Sequence, residues 1–382
     1  MLAAAVVGTG FMGPTHVEAL RRLGIHITGI LGISPERSAE AARQLGLPLG
    51  YSDYQAVLDD PAVQVVHITT PNRLHLDMSR RALLAGKHVI CEKPLAMDSR
   101  ETAELLEVAR SRPNQVAVVH FNIRFYPAVL QAREIVQSGA IGDVYAVHGG
   151  YFQDWLLYDT DWNWRLVEEE GGKLRAIADI GSHWMDTVSF ISGLNVSALL
   201  AELHTFLPRR KMPRQAVATF KGKEQAAPTE YDEVEIRTED WGAVLFRYAG
   251  NARGNMTVSQ VNAGRKNRMF FEIAGSKGAI GWDGEHVNDL WVGWRDRGNE
   301  LITKDPALLT GAARHHASYP GGHAEGYPDT FKQLYRAVYD YIAAGDYERP
   351  RPFPTFEDGH RAAVLADAIL ESHNTQQWID IP

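Results

Sequence analysis

The chain has 382 residues, enough for two domains, and its 45% apolar and 23% charged residues are the balance of a globular protein, not a disordered one. Its formal charge of −8 argues against nucleic acid as the main partner, because phosphate binding needs a basic surface. A single cysteine, Cys91, excludes an intrachain disulfide and a cysteine-based zinc cluster.

No apolar run approaches the roughly 18 to 20 residues of a membrane span. The opening MLAAAVVGTG lacks a basic leader and runs into a glycine motif, so it reads as a first strand and not as a signal peptide. A cytoplasmic protein is the expectation. Strands are predicted at Ala3–Val7, His26–Leu31, Val63–Thr69, His88–Cys91 and Val116–His120. Helical patterns lie between them, at His16–Leu23, Glu36–Leu45, Leu76–Leu84 and Arg100–Arg110. That alternation specifies right-handed βαβ units on a parallel sheet, a Rossmann domain over residues 1–122.

The pattern then changes. A helix at Ala128–Gln137 is followed by a strand at Val144–Gly150, a tryptophan-rich loop and a helix near His183–Ile191. From Val196 the signals are strand-like, at Ala216–Phe220, Val234–Arg237, Ala243–Tyr248, Asn255–Val261, Met269–Ala274 and Ala279–Trp282. Several alternate apolar with polar residues, as in an antiparallel sheet with one wet face. The charged stretch Pro208–Glu230 reads as an exposed loop, and helices close the chain at Thr330–Ala344 and Glu357–Ser372. Residues 123–382 are thus predicted to form an α+β domain with an open, mainly antiparallel sheet.

Gly8-Thr9-Gly10-Phe11-Met12-Gly13 matches G-x-G-x-x-G between a strand and a helix, the context in which the motif binds a dinucleotide. The first glycine permits the turn, the second admits the pyrophosphate, and the third lets helix and strand pack. NAD-binding chains usually carry an acid at the end of the second strand. Here that position falls near Gly32, and Ser34 and Arg37 follow. A hydroxyl and a guanidinium suit a 2′-phosphate, so NADP is favoured, with NAD the alternative and a simple helix cap at Ser34 the plainer reading.

Further motifs accumulate: Thr69-Thr70-Pro71-Asn72-Arg73-Leu74-His75, Cys91-Glu92-Lys93-Pro94-Leu95, Asn122-Ile123-Arg124-Phe125-Tyr126-Pro127 and Asp179-Ile180-Gly181-Ser182-His183. Together with the glycine loop these resemble the Gfo/Idh/MocA family of sugar and inositol oxidoreductases, over essentially the whole chain. The departure is the missing acid after the second strand. The resemblance implies Lys93, Asp179 and His183 as the catalytic set. It implies a cofactor site that adds Thr70, Pro71, Asn72, His75 and Glu92 to the glycine loop, and dimers or tetramers formed through the second-domain sheet.

The residue types support the same chemistry unaided. Oxidising a secondary alcohol needs a base for its proton and a cation beside its oxygen. Lys93 ends a parallel strand, at the edge where ligands bind. Asp179 and His183 are four apart, so Asp179 is expected to orient His183 and stabilise its protonated form, with His183 as base and Lys93 the alternative. Substrate contacts are expected from Asn122, Arg124, Tyr126, Gln153, Trp162, Trp164 and His323, besides the catalytic three. Tyr151, Phe152, Trp155, Tyr158, Trp162 and Trp164 crowd one segment and offer faces for sugar stacking or for packing. His315, His316, His323 and Glu325 are read as no metal site, Cys91 as packed, and His67 as structural. The expected function is hydride transfer between a ring alcohol of a sugar, glycoside or cyclic polyol and NAD(P). Two other classes remain open: an oxidoreductive glycoside hydrolase that recycles its cofactor, and a non-enzymatic sensor.

Overall fold

The computed structural model describes residues 2–214 and 230–382. β1 (Ala3–Val7) is buried along its whole length and leads into α1 (Met12–Arg22). Then follow β2 (His26–Leu31), α2 (Pro35–Leu45), α3 (Tyr54–Asp59), β3 (Val65–Ile68), α4 (His75–Leu84), β4 (His88–Cys91), α5 (Ser99–Arg110) and β5 (Ala117–Val119). The five strands are parallel, in the order β2-β1-β3-β4-β5. The chain leaves β1 in one direction and returns to β3 on its other side, so a crevice opens where the order reverses. The carboxyl ends of β1, β3, β4 and β5 therefore deliver Gly8, Thr69, Glu92–Lys93 and His120 to one edge.

The second layer begins with α6 (Pro127–Gln137), β6 (Val144–Phe152), the short α7 (Glu168–Gly171) and α8 (Ser182–Ser192). It continues with β7 (Val196–His204), β8 (Arg209–Pro213), β9 (Tyr231–Glu235), β10 (Trp241–Tyr248), β11 (Arg253–Ser259), β12 (Arg268–Gly275), β13 (Gly278–Asp283), β14 (Asp289–Trp294) and β15 (Glu300–Thr303). Helices α9 (Gly311–His316), α10 (Tyr327–Ala344) and α11 (Phe356–Thr375) follow, and β16 (Ile379–Asp380) ends the chain. Nine strands form one sheet, β15-β14-β13-β12-β6-β11-β10-β7-β16, antiparallel except where β11 runs parallel to β6. Helices α6, α8 and α11 cover one face with Val129, Trp184, Val188, Leu365 and Ile369. Trp184 lies flat on the sheet because Gly149 has no side chain; a Cβ there would fall 2.5 Å from the indole nitrogen. The other face is open.

Helix α10 returns to the first domain. Phe331, Leu334, Tyr335, Val338 and Ile342 pack in one core with Ala4, Val6, Val17 and Ile90. The parallel sheet is thereby covered on this side by an element more than 200 residues downstream of its last strand.

The predicted strands at 234–237, 243–248, 255–261, 269–274 and 279–282 correspond to β9 to β13, within a few residues. Ala216–Phe220 lies outside the described residues. The stretch Pro208–Glu230 is not simply an exposed loop: it starts as β8, paired with β9. Its Arg210 is buried, donating to Asp240 and to the carbonyls of Leu156 and Tyr158. A guanidinium whose two terminal nitrogens both find acceptors can be buried, which charge counting does not reveal. Strands β14 and β15 are additions to the predicted set. Before α8 the backbone makes a π-helical turn, Ile177–Gly181, a form that is rare and concentrated at functional sites. Among the described residues no helix is long and apolar enough to cross a membrane.

Candidate active site

The glycine loop is built by close backbone approach. Gly8 has φ 120°, and a Cβ there would meet the Thr69 hydroxyl at 2.3 Å. A Cβ on Gly13 would lie 2.1 Å from the Gly8 carbonyl oxygen. Gly10 faces open space, with nothing within 4 Å of where a side chain would begin. Phe11 at the head of α1 supplies no side-chain cap, and the first turn, from Met12, contains no acid. The amide groups of that turn, beside the open position at Gly10, suit a pyrophosphate. The residues fit a dinucleotide.

The neighbouring loops are held by groups that the sequence reading had assigned to the cofactor. Both ring nitrogens of His75 lie against backbone carbonyls, of Pro94 at 2.8 Å and Thr70 at 2.9 Å, so His75 staples two loops together. The Asn72 amide donates to the Gly171 carbonyl at 2.8 Å, tying the loop with Pro71 to the second domain. Glu92 is buried, and one of its carboxylate oxygens lies 3.0 Å from His16 and 3.0 Å from His120. That carboxylate is turned into the protein and not toward a cofactor. On the adenosine side, Ser34 caps α2 by accepting from the Arg37 N–H, and Arg37 pairs with Glu40 at 3.1 Å on the surface.

Lys93 closes β4 through a cis peptide to Pro94. Its ammonium donates to the Asp179 carboxylate at 2.7 Å and to the Asp179 main-chain carbonyl at 2.8 Å. The π-helical turn places that carboxylate and carbonyl together. Arg165 Nε donates to the same carboxylate oxygen at 3.2 Å, and Gln260 Nε2 to the other at 2.9 Å. Burial alone would raise the Asp179 carboxyl, but Lys93 and Arg165 outweigh it and hold it well below the usual carboxylate range.

His183 is buried at the start of α8, with Nδ1 unpartnered among the described residues. Burial first, then the Lys93 charge, push its imidazole down to about 3. The expectation that Asp179 orients His183 is corrected: the carboxylate is occupied by Lys93, Arg165 and Gln260. The two side chains share the site without a mutual hydrogen bond. Tyr327 completes the group. Burial, then the charge of Glu92, keep its hydroxyl protonated, with Tyr151, Tyr126 and Asp179 also close.

Several expected substrate residues are committed elsewhere. Arg124 is buried and donates through Nε to Asp186 at 2.7 Å and through Nη2 to Asp358 at 2.8 Å. The Asn122 amide donates to Thr330. Tyr126 packs against Trp282 and meets the site only through the cluster with Tyr151 and Tyr327. Gln153 donates to Asn267 and accepts from Trp155. Trp162 packs on Leu156, Leu166 and Ile236. Trp164 lies under Arg165, with the guanidinium 4.4 Å from its ring centre, and so reaches the site through Arg165. His323 is exposed and its ring bonds within its own loop. Glu325 is buried against Lys304, and His316 bonds the Ala312 carbonyl, so these do not converge with His315 on a metal. Cys91 is fully buried and its thiol is pushed up, which makes it packing material.

The sequence reading missed Gln260, Tyr327, His16 and His120. Gln260 reaches Asp179 only because β11 lies beside β6, and Tyr327 only because α10 returns. His16 carried a faint signal, a histidine amid the apolar face of α1. Among the described residues, His16, Glu92 and His120 are also the one trio whose ligand-type atoms lie within 4.8 Å of one another.

Known proteins match this architecture throughout. A family model for an oxidoreductase family with an NAD-binding Rossmann fold covers residues 2–120, and the GFO/IDH/MocA C-terminal domain model covers residues 129–281. Levoglucosan dehydrogenase of Pseudarthrobacter phenanthrenivorans is 32% identical over all of this chain and 98% of its own. Inositol 2-dehydrogenase of Salmonella typhimurium is 30% identical over 98% of this chain and 95% of its own. The structure of a levoglucosan dehydrogenase with NADH and levoglucosan superposes with a TM-score of 0.89 at 29% identity, covering 100% of this chain and 99% of that one. The chain therefore belongs to the Gfo/Idh/MocA oxidoreductases, an NAD-binding Rossmann domain joined to that family's C-terminal domain.

Proposed function

We propose that the protein transfers hydride between a secondary ring alcohol and NAD(P), acting on a sugar, an anhydrosugar or a cyclic polyol. The observation that carries this reading is the Lys93–Asp179–His183 group at the strand edge that also holds the open Gly10 loop. Bound nicotinamide would supply the hydride acceptor. Lys93 sets a positive charge where alkoxide charge develops. Asp179 holds the ammonium in place, and Arg165 and Gln260 hold Asp179. His183, kept neutral, supplies a ring nitrogen to the substrate hydroxyl. The likeness to levoglucosan and inositol dehydrogenases supports a cyclic substrate with several hydroxyls. A panel of anhydrosugars, inositols, monosaccharides and aryl glycosides tests this, read both for NAD(P)H and for released aglycone. Net NAD(P)H is expected; aglycone release without net NAD(P)H would make the protein a glycoside hydrolase.

The pH profile distinguishes the roles. An imidazole lowered to about 3 stays neutral at every ordinary assay pH, so it cannot generate a rising limb above pH 6. That limb must come from another group. It should survive, at much reduced rate, in His183→Ala and vanish in Lys93→Met, with turnover down by about a thousandfold or more. A limb lost in His183→Ala and kept in Lys93→Met would make the histidine the base.

For the cofactor, we propose that NADP binds at least as well as NAD. Gly32 offers no carboxylate to repel a 2′-phosphate, and Arg37 is engaged only in a surface pair worth little. Arg37→Ala should weaken NADP and spare NAD. NAD binding more than about tenfold tighter in the wild type, a difference of about 1.4 kcal/mol, leaves Ser34 a helix cap and nothing more.

We also propose that the open face of the nine-stranded sheet joins copies of the chain. Leu245 is 49% exposed there and pairs with Leu200, and Phe270 and Trp291 lie on the same face. Light scattering should return a dimer or tetramer that Leu245→Glu dissociates. A monomeric wild type rejects this surface.

A further inference from the structure

Behind Lys93 runs a hydrogen-bond chain that the hydride-transfer reading does not use. Tyr335 meets His120 Nε2 at 3.1 Å, and His120 Nδ1 meets Glu92 Oε1 at 3.0 Å. The same oxygen meets His16 Nε2 at 3.0 Å. His16 Nδ1 meets His67 Nδ1 at 3.0 Å, and His67 Nε2 meets the Tyr339 hydroxyl at 3.0 Å. All six side chains are buried, and they come from α1, β3, the ends of β4 and β5, and α10.

The chemistry of the groups fixes the protons that face Glu92. A carboxylate only accepts, so His120 must carry a proton on Nδ1 and His16 on Nε2. In neutral imidazoles the other nitrogens accept, from the Tyr335 hydroxyl and from His67 Nδ1. His67 Nε2 is left to accept from Tyr339. Each donor points along the chain toward Glu92, and no imidazole needs a charge. Burial drives the same way: it is the largest effect lowering His16, to about 4, and His67, well below its ordinary value. The second carboxylate oxygen of Glu92 lies 3.3 Å from the Lys93 backbone N–H. Charged and titratable groups around this centre are Lys93, Asp179, His183 and Tyr327.

We propose that Glu92 is a positioning residue. His16 and His120, each backed by a further donor, lock it as the acceptor on which the chain converges, and its second oxygen, accepting from the Lys93 N–H, fixes the backbone that aims Lys93 at the reacting hydroxyl. The rate consequences rest on the hydride-transfer reading above; the proton positions do not. A metal held by His16, Glu92 and His120 is the competing use of the same atoms. It would need both coordinating nitrogens stripped of their protons, which reverses the chain.

The test has a structural and a kinetic arm. Long-range ¹H–¹⁵N spectra of the histidine-labelled wild type should show His120 protonated at Nδ1, His16 at Nε2 and His67 at Nδ1, with His16 and His67 unchanged from pH 6 to 9. Any other tautomer, or a titration of His16 or His67 in that range, overturns the chain whatever the enzyme's substrate. In Glu92→Gln either amide orientation sets an NH₂ against an N–H donor, so kcat should fall at least about tenfold while substrate KM stays within about threefold. The pH profile should also differ from the wild type's, because a buried negative charge has gone. His16→Gln and His120→Asn keep a donor at the required atom and should retain more turnover than His16→Asn and His120→Gln. Wild-type kcat and an unshifted profile in Glu92→Gln overturn the positioning role. So does turnover lost to EDTA and restored by Zn²⁺, which would make the trio metal ligands.

Discussion

Lys93 follows the end of a parallel strand and Asp179 lies in a π-helical turn of the other domain, and their 2.7 Å contact is where the two domains are joined by charge. Both side chains are mostly buried. Removing one partner of such a pair typically costs about 3–5 kcal/mol, because the other charge is left without compensation. The pair is therefore both a domain clasp and the means by which the ammonium is held at a defined place. Much of the surrounding architecture serves it. Asn72 reaches across to Gly171, and Arg165 and Gln260 bring two further donors to Asp179.

The electrostatics of the site follow from that arrangement. Two cations, Lys93 and Arg165, face one exposed-side carboxylate, Asp179, while a second carboxylate, Glu92, lies behind them within the first domain. The four charges balance in number but not in position. The two cations meet at Asp179, and the compensating Glu92 is withdrawn into a cage of imidazoles and tyrosines. His183 sits in the same field and stays neutral because burial and the lysine charge act in the same direction. A neutral imidazole beside an ammonium donates or accepts a hydrogen bond without competing for the carboxylate.

Helix α10 links these features. It covers the parallel sheet with Phe331, Leu334 and Val338, and presents Tyr335 and Tyr339 to the histidines and Tyr327 to the crevice. The second domain is thus anchored to the first through a largely apolar face, in which Tyr335 and Tyr339 bond His120 and His67. The nine-stranded sheet has a different task. One face carries the core that fixes α8 and its π-helical turn, and the other is left open with Leu200, Leu245, Phe270 and Trp291.

The sequence alone determined the parallel sheet, the glycine loop, the change to an antiparallel second domain and the short motifs that carry Lys93, Asp179 and His183. Each of these is written in a local signal: a strand-helix period, glycines at fixed offsets, or a short motif at an element's end. Only the tertiary structure decided how those residues use their atoms. Asp179 and His183 are four apart and on neighbouring turns, yet the carboxylate is claimed by Lys93, Arg165 and Gln260, which lie 86, 14 and 81 residues away. Arg124, a plausible substrate contact by motif, is consumed by Asp186 and Asp358, because burying a guanidinium requires acceptors on every side. Glu92 belongs to the cofactor motif by position but to His16 and His120 by contact. Partners this distant leave no periodicity in the chain, since hydrogen bonding depends on where strands are laid side by side and not on spacing along the backbone.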